Sequence, residues 1–233
     1  MPFSDITIDP EVQRAYPDVR IGVLTADIVV RSEHPYVDEL KVSLAGILAS
    51  RGVTEENLAT QPDIAAWRSV YGAMGAKPSK YRSSLEALAR RVLKGSGLWS
   101  VSSVVDCYNC ASVQTFLAMG AHDTSKVNGM ITLRYGRPEE KFFPLGAEGE
   151  EIDVNPRNIV YADETKICCW LWNHRDTRLA GVTDQTKEAV FIIDAAFEPH
   201  LTPVEKGIEI LAGHLERIGC YPKKSCVKGR PLT

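Results

Sequence analysis

The sequence predicts an α+β protein in which a helical N-terminal half is followed by a β-rich half. Apolar residues recur at helical spacings between Pro35 and Gly120, and short β-branched and aromatic segments follow from Met130. The apolar stretch Val19–Val30 predicts an early strand, and a last helical pattern follows Thr202. Because helices and strands fall in separate runs, this order argues against a doubly wound parallel sheet.

The helical half contains several separate patterns. Spacings of three and four residues predict a helix from Pro35 to about Ser50, ended by Gly52. Thr54 is a suitable N-cap for a second helix, with "EEN" in its first turn. A third helix is expected in "PDIAAWRSVYGAMG".

Two further helices follow. "SSLEALARRVLKG" has a capping serine at Ser83 or Ser84, a buried stripe and a terminating Gly95. "SVVDCYNCASVQTFLAM" predicts the next helix, which we expect to end near Gly120.

The second half predicts short strands separated by glycine, proline and Asn-Pro turns. These strands are "MITLRYG", "KFFPLG", "EEIDV", "NIVYAD", "KICCWLWN" and "EAVFIID". The helix "PVEKGIEILAGHLERIG" follows, and then a basic tail at 221–233 that we expect to be a flexible end. With no internal repeat and no low-complexity linker, the sequence predicts a single domain over 1–233.

Charge and hydropathy narrow the classes of function. A formal net charge of −3 argues against a strongly nucleic-acid-binding surface. No apolar run approaches the roughly 20 residues that a membrane span needs. The start "MPFSDITIDP" is not a secretory signal, so we expect a cytoplasmic protein with reduced cysteines and no membrane partner.

The Cys-x-x-Cys pair in "DCYNC" raises the question of a metal or redox site. Cys107 and Cys110 lie one helical turn apart, but a structural zinc needs two more nearby ligands. Cys168 and Cys169 share a predicted strand and therefore point to opposite faces. We favour buried packing for these thiols and expect neither a metal nor another cofactor, with a zinc or thiol enzyme as the alternative.

Two histidines are candidates for catalysis. His122 in "GAHD" and His174 in "WNHRD" are predicted in loops, where functional residues are common. His214 is predicted on the surface of the last helix. Neither a nucleophile elbow nor a phosphate-binding glycine loop is present.

The segment "WLWNHRDTR" is dense in polar groups that can bind a ligand. Asp176 can accept a hydrogen bond from an amine, and Arg175 can bind phosphate or carboxylate, beside Trp172, Asn173 and Thr177. The alternative is a charged surface turn with a weak salt bridge.

Four segments together resemble a known module: "YRSSLEALARRVLKG", "VVDCYNCASVQTFLAMGAHD", "IVYADETKICCWLWNHRDT" and "TDQTKEAVFIID". Over roughly Val19 to Ile218 the chain resembles the tRNA-editing B-three/B-four domain of the phenylalanyl-tRNA synthetase beta chain. In the synthetase this domain hydrolyses tyrosine wrongly attached to the phenylalanine tRNA. The resemblance implies a sandwich-like β core, a pocket for an aminoacyl ester, and water as the nucleophile.

The resemblance can be carried over residue by residue. Asp106 and Asn109 match the family's Asp-x-x-Asn, and Asp123 matches an aspartate that follows the helix. Gly120 replaces a family histidine, and His122 replaces a phenylalanine.

The pocket glutamate of the family has no clear equivalent, and Asp176 is our candidate for its part. Ester hydrolysis needs a positioned water and a stabilised oxyanion, and Asn109 is our candidate donor. We expect Asp176 or Asp123 to hold the substrate's α-amino group, and His122 or His174 to orient the water.

A tRNA or aminoacyl-tRNA is the implied partner. Its single-stranded 3′ end can stack on tryptophan or tyrosine, and Lys80, Arg82 and Arg91 are our candidates for phosphate contacts. Given the net charge, we expect weak binding or binding through a partner. Two hypotheses follow: a trans-acting aminoacyl-tRNA deacylase, or a non-catalytic module that binds a tRNA end, an amino-acid-like molecule or a protein.

Overall fold

A computed structural model describes residues 1–229 and confirms the α+β class. The described chain contains these helices: α1 (Pro10–Ala15), α2 (Pro35–Ser50), α3 (Pro62–Ala73), α4 (Ser84–Leu93), α5 (Ser103–Thr115) and α6 (Val204–Arg217). Its strands are β1 (Ile6–Ile8), β2 (Arg20–Asp27), β3 (Ala118–Asp123), β4 (Ile131–Tyr135), β5 (Lys141–Phe142), β6 (Ile152–Asp153), β7 (Ile159–Ala162), β8 (Ile167–Trp170), β9 (Arg175–Asp176), β10 (Glu188–Ala195) and β11 (Tyr221–Gly229).

Most strands form two sheets that pack face to face. One sheet has the order β11-β2-β10-β3 and is antiparallel throughout. The other has the order β1-β4-β7-β8-β9, with β1 and β4 parallel. The sheets meet where the Tyr161 hydroxyl of β7 donates to the Asp194 carboxyl of β10, so the core is sandwich-like.

Helices α5 and α6 pack against the four-stranded sheet. Close approach of α6 depends on glycine. A Cβ on Gly22 of β2 would lie 2.9 Å from Val204 Cγ1 at the start of α6. No helix within residues 1–229 has the length and apolarity to cross a membrane.

The prediction that the helix containing Asn109 runs to Gly120 is wrong. Helix α5 ends at Thr115, because Phe116 takes a left-handed conformation with φ of 62°. The Ser112 hydroxyl then donates to the Leu117 carbonyl over 2.6 Å, which satisfies a carbonyl as the chain leaves the helix. The following segment is strand β3, so His122 lies in a strand and not in a loop.

The helix expected from Thr54 is also absent. Asn57 accepts from the Thr54 amide at 2.9 Å and donates to the Gly52 carbonyl at 2.8 Å, which closes a compact loop. Only the short 3₁₀ turn Leu58–Thr60 follows. Local bonds of Asn and Thr side chains to the backbone compete here with helix formation.

The basic tail is largely part of the fold, contrary to the expected flexible end. Strand β11 pairs antiparallel with β2, with Cys226 opposite Val23 and Gly229 opposite Arg20. Lysine side chains make this edge strand polar, which disfavours pairing with other chains. The remaining part of the predicted tail, including Arg230, lies outside the described residues.

His214 is buried between helices and is not a surface residue. Its Nε2 lies 2.7 Å from Gln114 Oε1 of α5, and its Nδ1 lies 2.6 Å from the Tyr36 hydroxyl of α2. Burial lowers the pKa of His214, and the nearby Arg217 charge acts in the same direction. The neutral ring therefore connects α6 to α2 and α5.

Two glycines of α6 form a matched test of its packing. A Cβ on Gly207 would lie 2.5 Å from Leu117 Cδ1, whereas Gly213 has nothing within 4 Å. We expect Gly213→Ala to stabilise the protein by up to about 1 kcal/mol through helix propensity. We expect Gly207→Ala to be less stable than Gly213→Ala by about 1–3 kcal/mol because of overpacking. Urea unfolding of the two variants measures the difference, and equal midpoints would contradict this packing.

Candidate functional site

A cavity of about 60 Å³ lies between the two sheets, beside the turn that joins β8 to β9. Its walls combine apolar, aromatic and ionisable side chains from both sheets and from the start of α4. The lining residues are Ser84, Met119, Gly120, His122, Tyr161, Cys169, Trp172, Asn173, His174, Arg175, Asp176, Ile192 and Asp194. The structure thus brings six predicted site residues together at one cavity: His122, Trp172, Asn173, His174, Arg175 and Asp176.

The turn that supplies three of these residues, Trp172, Asn173 and His174, is strained. Leu171 and Trp172 both have positive φ, 51° and 63°, which costs non-glycine residues about 1–2 kcal/mol each. Packing holds the conformation. The Trp172 ring lies edge-on between Tyr16 and Trp67, with ring centroids 5.1 Å and 5.4 Å away. Burial of Trp172 in this way leaves Asn173 and His174 at the cavity wall.

His174 is held in one tautomer. Its Nδ1 lies 2.7 Å from the Arg82 carbonyl oxygen, which can only accept, so Nδ1 carries the proton. Edge-on rings of Tyr81 and Trp170, with centroids 5.4 Å and 5.8 Å away, fix its plane. Burial lowers the pKa of His174. The ring is therefore neutral near pH 7, with a basic lone pair on Nε2.

Three lining side chains carry buried polar atoms that have no hydrogen-bond partner among residues 1–229. These atoms are His122 Nδ1, Asn173 Nδ2 and Ser84 Oγ. Asn173 is otherwise fixed, because its Oδ1 accepts from the Tyr71 hydroxyl at 3.0 Å. Burial lowers the pKa of His122, so its ring is neutral too. Unpaired buried polar groups are costly, and their convergence on one cavity indicates a binding site for a polar ligand.

Asp194 is a buried carboxyl on the floor of this cavity. Burial raises the pKa of Asp194 to about 7 and the charge of Asp176 adds to the rise, while the side chains of Tyr161, Trp172 and Asn173 act to lower it. The Trp172 indole donates to Asp194 Oδ1 over 3.1 Å. A carboxyl with a pKa near neutrality can exchange protons during a reaction.

Asp176 and Arg175 lie side by side at the cavity wall. A Cβ on Gly120 would be 3.8 Å from both Asp176 carboxylate oxygens, so the missing side chain at position 120 leaves room above this carboxylate. The Arg175 guanidinium donates to the Leu145 carbonyl at 3.1 Å, which holds it at the rim.

Four of the residues predicted for catalysis or substrate binding lie outside the cavity. Asp106 accepts from Lys41 Nζ at 2.7 Å and from the Val101 amide at 3.0 Å, so its carboxylate serves the structure. Asn109 is half-buried one turn further along α5.

The other two are Asp123 and Thr177. Asp123 accepts from the Thr186 hydroxyl at 2.7 Å and from Ser125. The Thr177 hydroxyl donates to the Phe143 carbonyl at 3.0 Å. Both side chains therefore stabilise neighbouring loops.

The residues predicted to bind RNA lie near the start of α4 or along it. Lys80 Nζ lies 5.1 Å above the Tyr81 ring, which in turn packs on His174. Arg82 contacts Glu86, and Arg91 stacks 4.1 Å above the Trp99 ring. Their roles remain predictions.

The cysteines are free, and five of the six are buried. Burial raises the pKa of Cys110 and of Cys168 to about 12, and it raises the pKa of Cys169 well above its usual range. These thiols are buried, as predicted, and their raised pKa values keep them protonated near pH 7. Within residues 1–229, no group of three or more His, Cys, Asp or Glu side chains is placed to hold a metal ion.

Sequence patterns missed several cavity residues. Asp194 stands in the strand "EAVFIIDAAF", and an acid inside such an apolar run is the signal that could have revealed it. The sequence pattern at Ser84 indicates only a helix cap. Tyr161, Met119 and Ile192 gave no signal, since their patterns are those of ordinary core residues.

Comparison with known proteins gives a consistent result. A family model described as "B3/4 domain" matches residues 66–206. The phenylalanine–tRNA ligase beta subunit of Chromobacterium violaceum is 33% identical over 152 residues, which cover 65% of this chain and 17% of that protein. The corresponding subunit of Hahella chejuensis is 33% identical over 107 residues, covering 46% of this chain and 13% of that protein. The chain thus spans less than a fifth of the length of these relatives.

A solved structure is also similar. It is an N-terminal fragment of the phenylalanyl-tRNA synthetase beta subunit from Pyrococcus horikoshii, with a TM-score of 0.48 and 11% identity. The match covers 94% of this chain and 50% of that chain.

The raised pKa of Asp194 predicts a pH-dependent stability. Its folded pKa of about 7 exceeds its unfolded value near 3.8. The folded state therefore holds the proton more tightly, and this stabilisation is lost as pH rises from 4 through 7. Relative to Asp194→Asn, which stays neutral, we expect the native protein to lose up to about 4 kcal/mol of unfolding free energy across this window. Urea unfolding of both proteins at several pH values measures it, and parallel pH profiles would show that Asp194 titrates normally.

Proposed function

Because this chain belongs to the B3/4 domain family, we propose that it acts in trans on tRNA and hydrolyses the ester between a wrongly attached amino acid and the tRNA 3′ end. The similar proteins are phenylalanine–tRNA ligase beta subunits, so an aminoacyl-tRNA is the substrate class that this relationship favours. The proposal also assigns the chain to the cytoplasm.

One observation carries the proposal. The cavity combines a neutral, oriented His174 with three buried polar atoms that lack partners. Hydrolysis of an ester needs a base for the water, donors for the oxyanion and an anion for the substrate's ammonium group. Each of these groups is available at this cavity.

The proposed reaction begins with a water molecule at His174 Nε2. The lone pair of Nε2 removes a proton as the water oxygen attacks the ester carbonyl carbon. The Asn173 Nδ2 group and the Ser84 hydroxyl are donors for the oxyanion of the tetrahedral intermediate. Collapse breaks the bond to the ribose oxygen, which takes the proton from the imidazolium and leaves as a hydroxyl.

Asp176 is our candidate for recognition of the substrate's α-ammonium group. Its carboxylate lies at the cavity wall beside Gly120, where no side chain intervenes. A charge-assisted hydrogen bond there would orient the ester carbonyl toward His174.

A non-catalytic binding module is the second candidate, and one observation favours it. Asp106 and Asn109, which match the family's Asp-x-x-Asn, lie outside the cavity, and the Asp106 carboxylate is occupied by Lys41. In that case the cavity would hold an amino-acid-like group without cleaving it. Turnover measurements separate the two candidates.

The role of His174 is tested by His174→Gln, with His200→Gln as the control. His200 is exposed and pairs with Asp63 away from the cavity. We expect the His174 variant to lose about 10²–10⁴-fold in the rate of amino acid release from mischarged tRNA, because it loses the general base. The control should keep its rate. An active His174 variant, or loss of activity in Asn109→Ala, would contradict the assigned site.

The size of the cavity predicts the class of amino acid. A cavity of about 150 Å³ accommodates a benzene ring, and this one measures about 60 Å³. We therefore expect release of small side chains such as serine, cysteine or alanine to be at least tenfold faster than release of tyrosine. A panel of mischarged tRNAs with catalytic amounts of protein measures this order. Fastest release of tyrosine would refute it, and no release of any amino acid would favour the binding module.

A further inference from the structure

We propose that Arg68, Arg82 and Arg90, gathered around the buried carboxylate of Glu86, bind the phosphodiester backbone at the 3′ end of an RNA. The RNA terminus would then enter the cavity beside His174. This inference rests on the proposed function for the identity of the RNA, and the phosphate contact can be tested separately.

The three guanidinium groups share one carboxylate oxygen. Glu86 Oε1 lies 3.2 Å from Arg90 Nη2 and 3.6 Å from both Arg68 Nη1 and Arg82 Nε. The Glu86 side chain is 1% exposed, whereas the arginine side chains are 24–38% exposed. A buried anion thus holds three partly exposed cations at one place on the surface.

This arginine cluster carries more positive than negative charge. Three arginines and one glutamate leave an excess of two positive charges. In every other ion-paired group of residues 1–229, acids are at least as numerous as cations. The side chains of all three arginines are partly exposed, and a planar guanidinium is suited to phosphate oxygens.

The arginine cluster is connected directly to the cavity. The Arg82 carbonyl accepts from His174, and the next-but-one residue, Ser84, lines the cavity. The Ser84 amide also donates to the Asn173 carbonyl at 3.1 Å. Arg90 lies six residues beyond Ser84 on α4, a rise of about 9 Å along the helix axis. A terminal ester in the cavity would therefore have its nearest phosphodiesters within reach of these arginines.

An exposed aromatic ring contacts Arg91 of α4. Trp99 is 52% exposed, and the Arg91 guanidinium covers one of its faces at 4.1 Å. An RNA base can stack on an exposed indole, which is how proteins commonly bind single-stranded ends without reading their sequence. The combination of arginines with a stacking ring favours single-stranded RNA over a phosphorylated protein.

The test compares native protein with Arg68→Gln/Arg90→Gln. The matched control is Lys206→Gln, which removes an exposed cation paired with Glu209 on another helix. Binding is measured by fluorescence anisotropy with an uncharged RNA minihelix that ends in CCA, at several salt concentrations. We expect the double variant to bind at least tenfold more weakly at low salt and with a shallower salt dependence. The control should match the native protein. Unchanged minihelix affinity in the double variant would overturn the inference.

Hydrolysis separates this inference from the proposed function. The arginine variants should release amino acid from aminoacyl-tRNA more slowly, yet cleave aminoacyl-adenosine, which has no phosphate, at the native rate. If native protein cleaves neither ester, the proposed function fails, and the anisotropy result still decides the phosphate contact. Equal losses on both esters would overturn the inference.

Two further variants keep the test decisive if the double variant does not fold. Arg90→Lys keeps the charge beside Glu86 but removes the planar fork, and we expect severalfold weaker binding of the minihelix. Trp99→Ala should weaken binding by about fivefold or more through lost stacking. Native affinity in both would overturn the inference, as would tighter binding of a phosphoserine peptide than of the minihelix.

Discussion

The hydrogen bond from the Trp172 indole to the Asp194 carboxyl ties the turn between β8 and β9 to strand β10, at two consecutive residues of positive φ. Leu171 and Trp172 keep their left-handed conformation because the indole donates to Asp194 and packs between the rings of Tyr16 and Trp67. Without that anchor, the turn between β8 and β9 would relax, and Asn173 and His174 would leave the cavity wall. Strain of this kind persists where the surrounding structure over-determines it, and it is frequent at functional sites.

Burial sets the protonation of the groups that this turn brings together. His122 and His174 are neutral because their charged forms would lose hydration, and Asp194 holds its proton close to neutral pH for the same reason. A site of mostly neutral donors and acceptors binds an uncharged ester more readily than a carboxylate product. The three guanidinium groups of the arginine cluster lie outside the cavity, partly exposed around Glu86. The proposed ester hydrolysis and the proposed binding of RNA phosphates are thus assigned to adjacent but different parts of the molecule.

Sequence patterns predicted the α+β class and most elements, because apolar periodicity reports which face of a helix or strand is buried. They also identified the "WNHRD" turn, since polar groups are concentrated there. The errors came from contacts that periodicity does not encode. Phe116 ends a helix through a left-handed residue that no glycine announces, and Asn57 closes a loop through its side chain. Asp194 was missed because it became a site residue only when the second sheet was packed against its strand.

The position of β2 in its sheet has a consequence for biosynthesis. Asp27 pairs with Glu188, and Arg20 pairs with Gly229, so both neighbours of this strand come from distant parts of the chain. At roughly 5–20 residues per second, translation takes on the order of ten seconds to supply the first neighbour. During that time β2 is an apolar segment, rich in β-branched residues, with two unpaired edges. Exposed segments of this type are prone to aggregate. Productive synthesis would therefore depend on the nascent segment being shielded, by the ribosome surface or by chaperones, until its partners emerge.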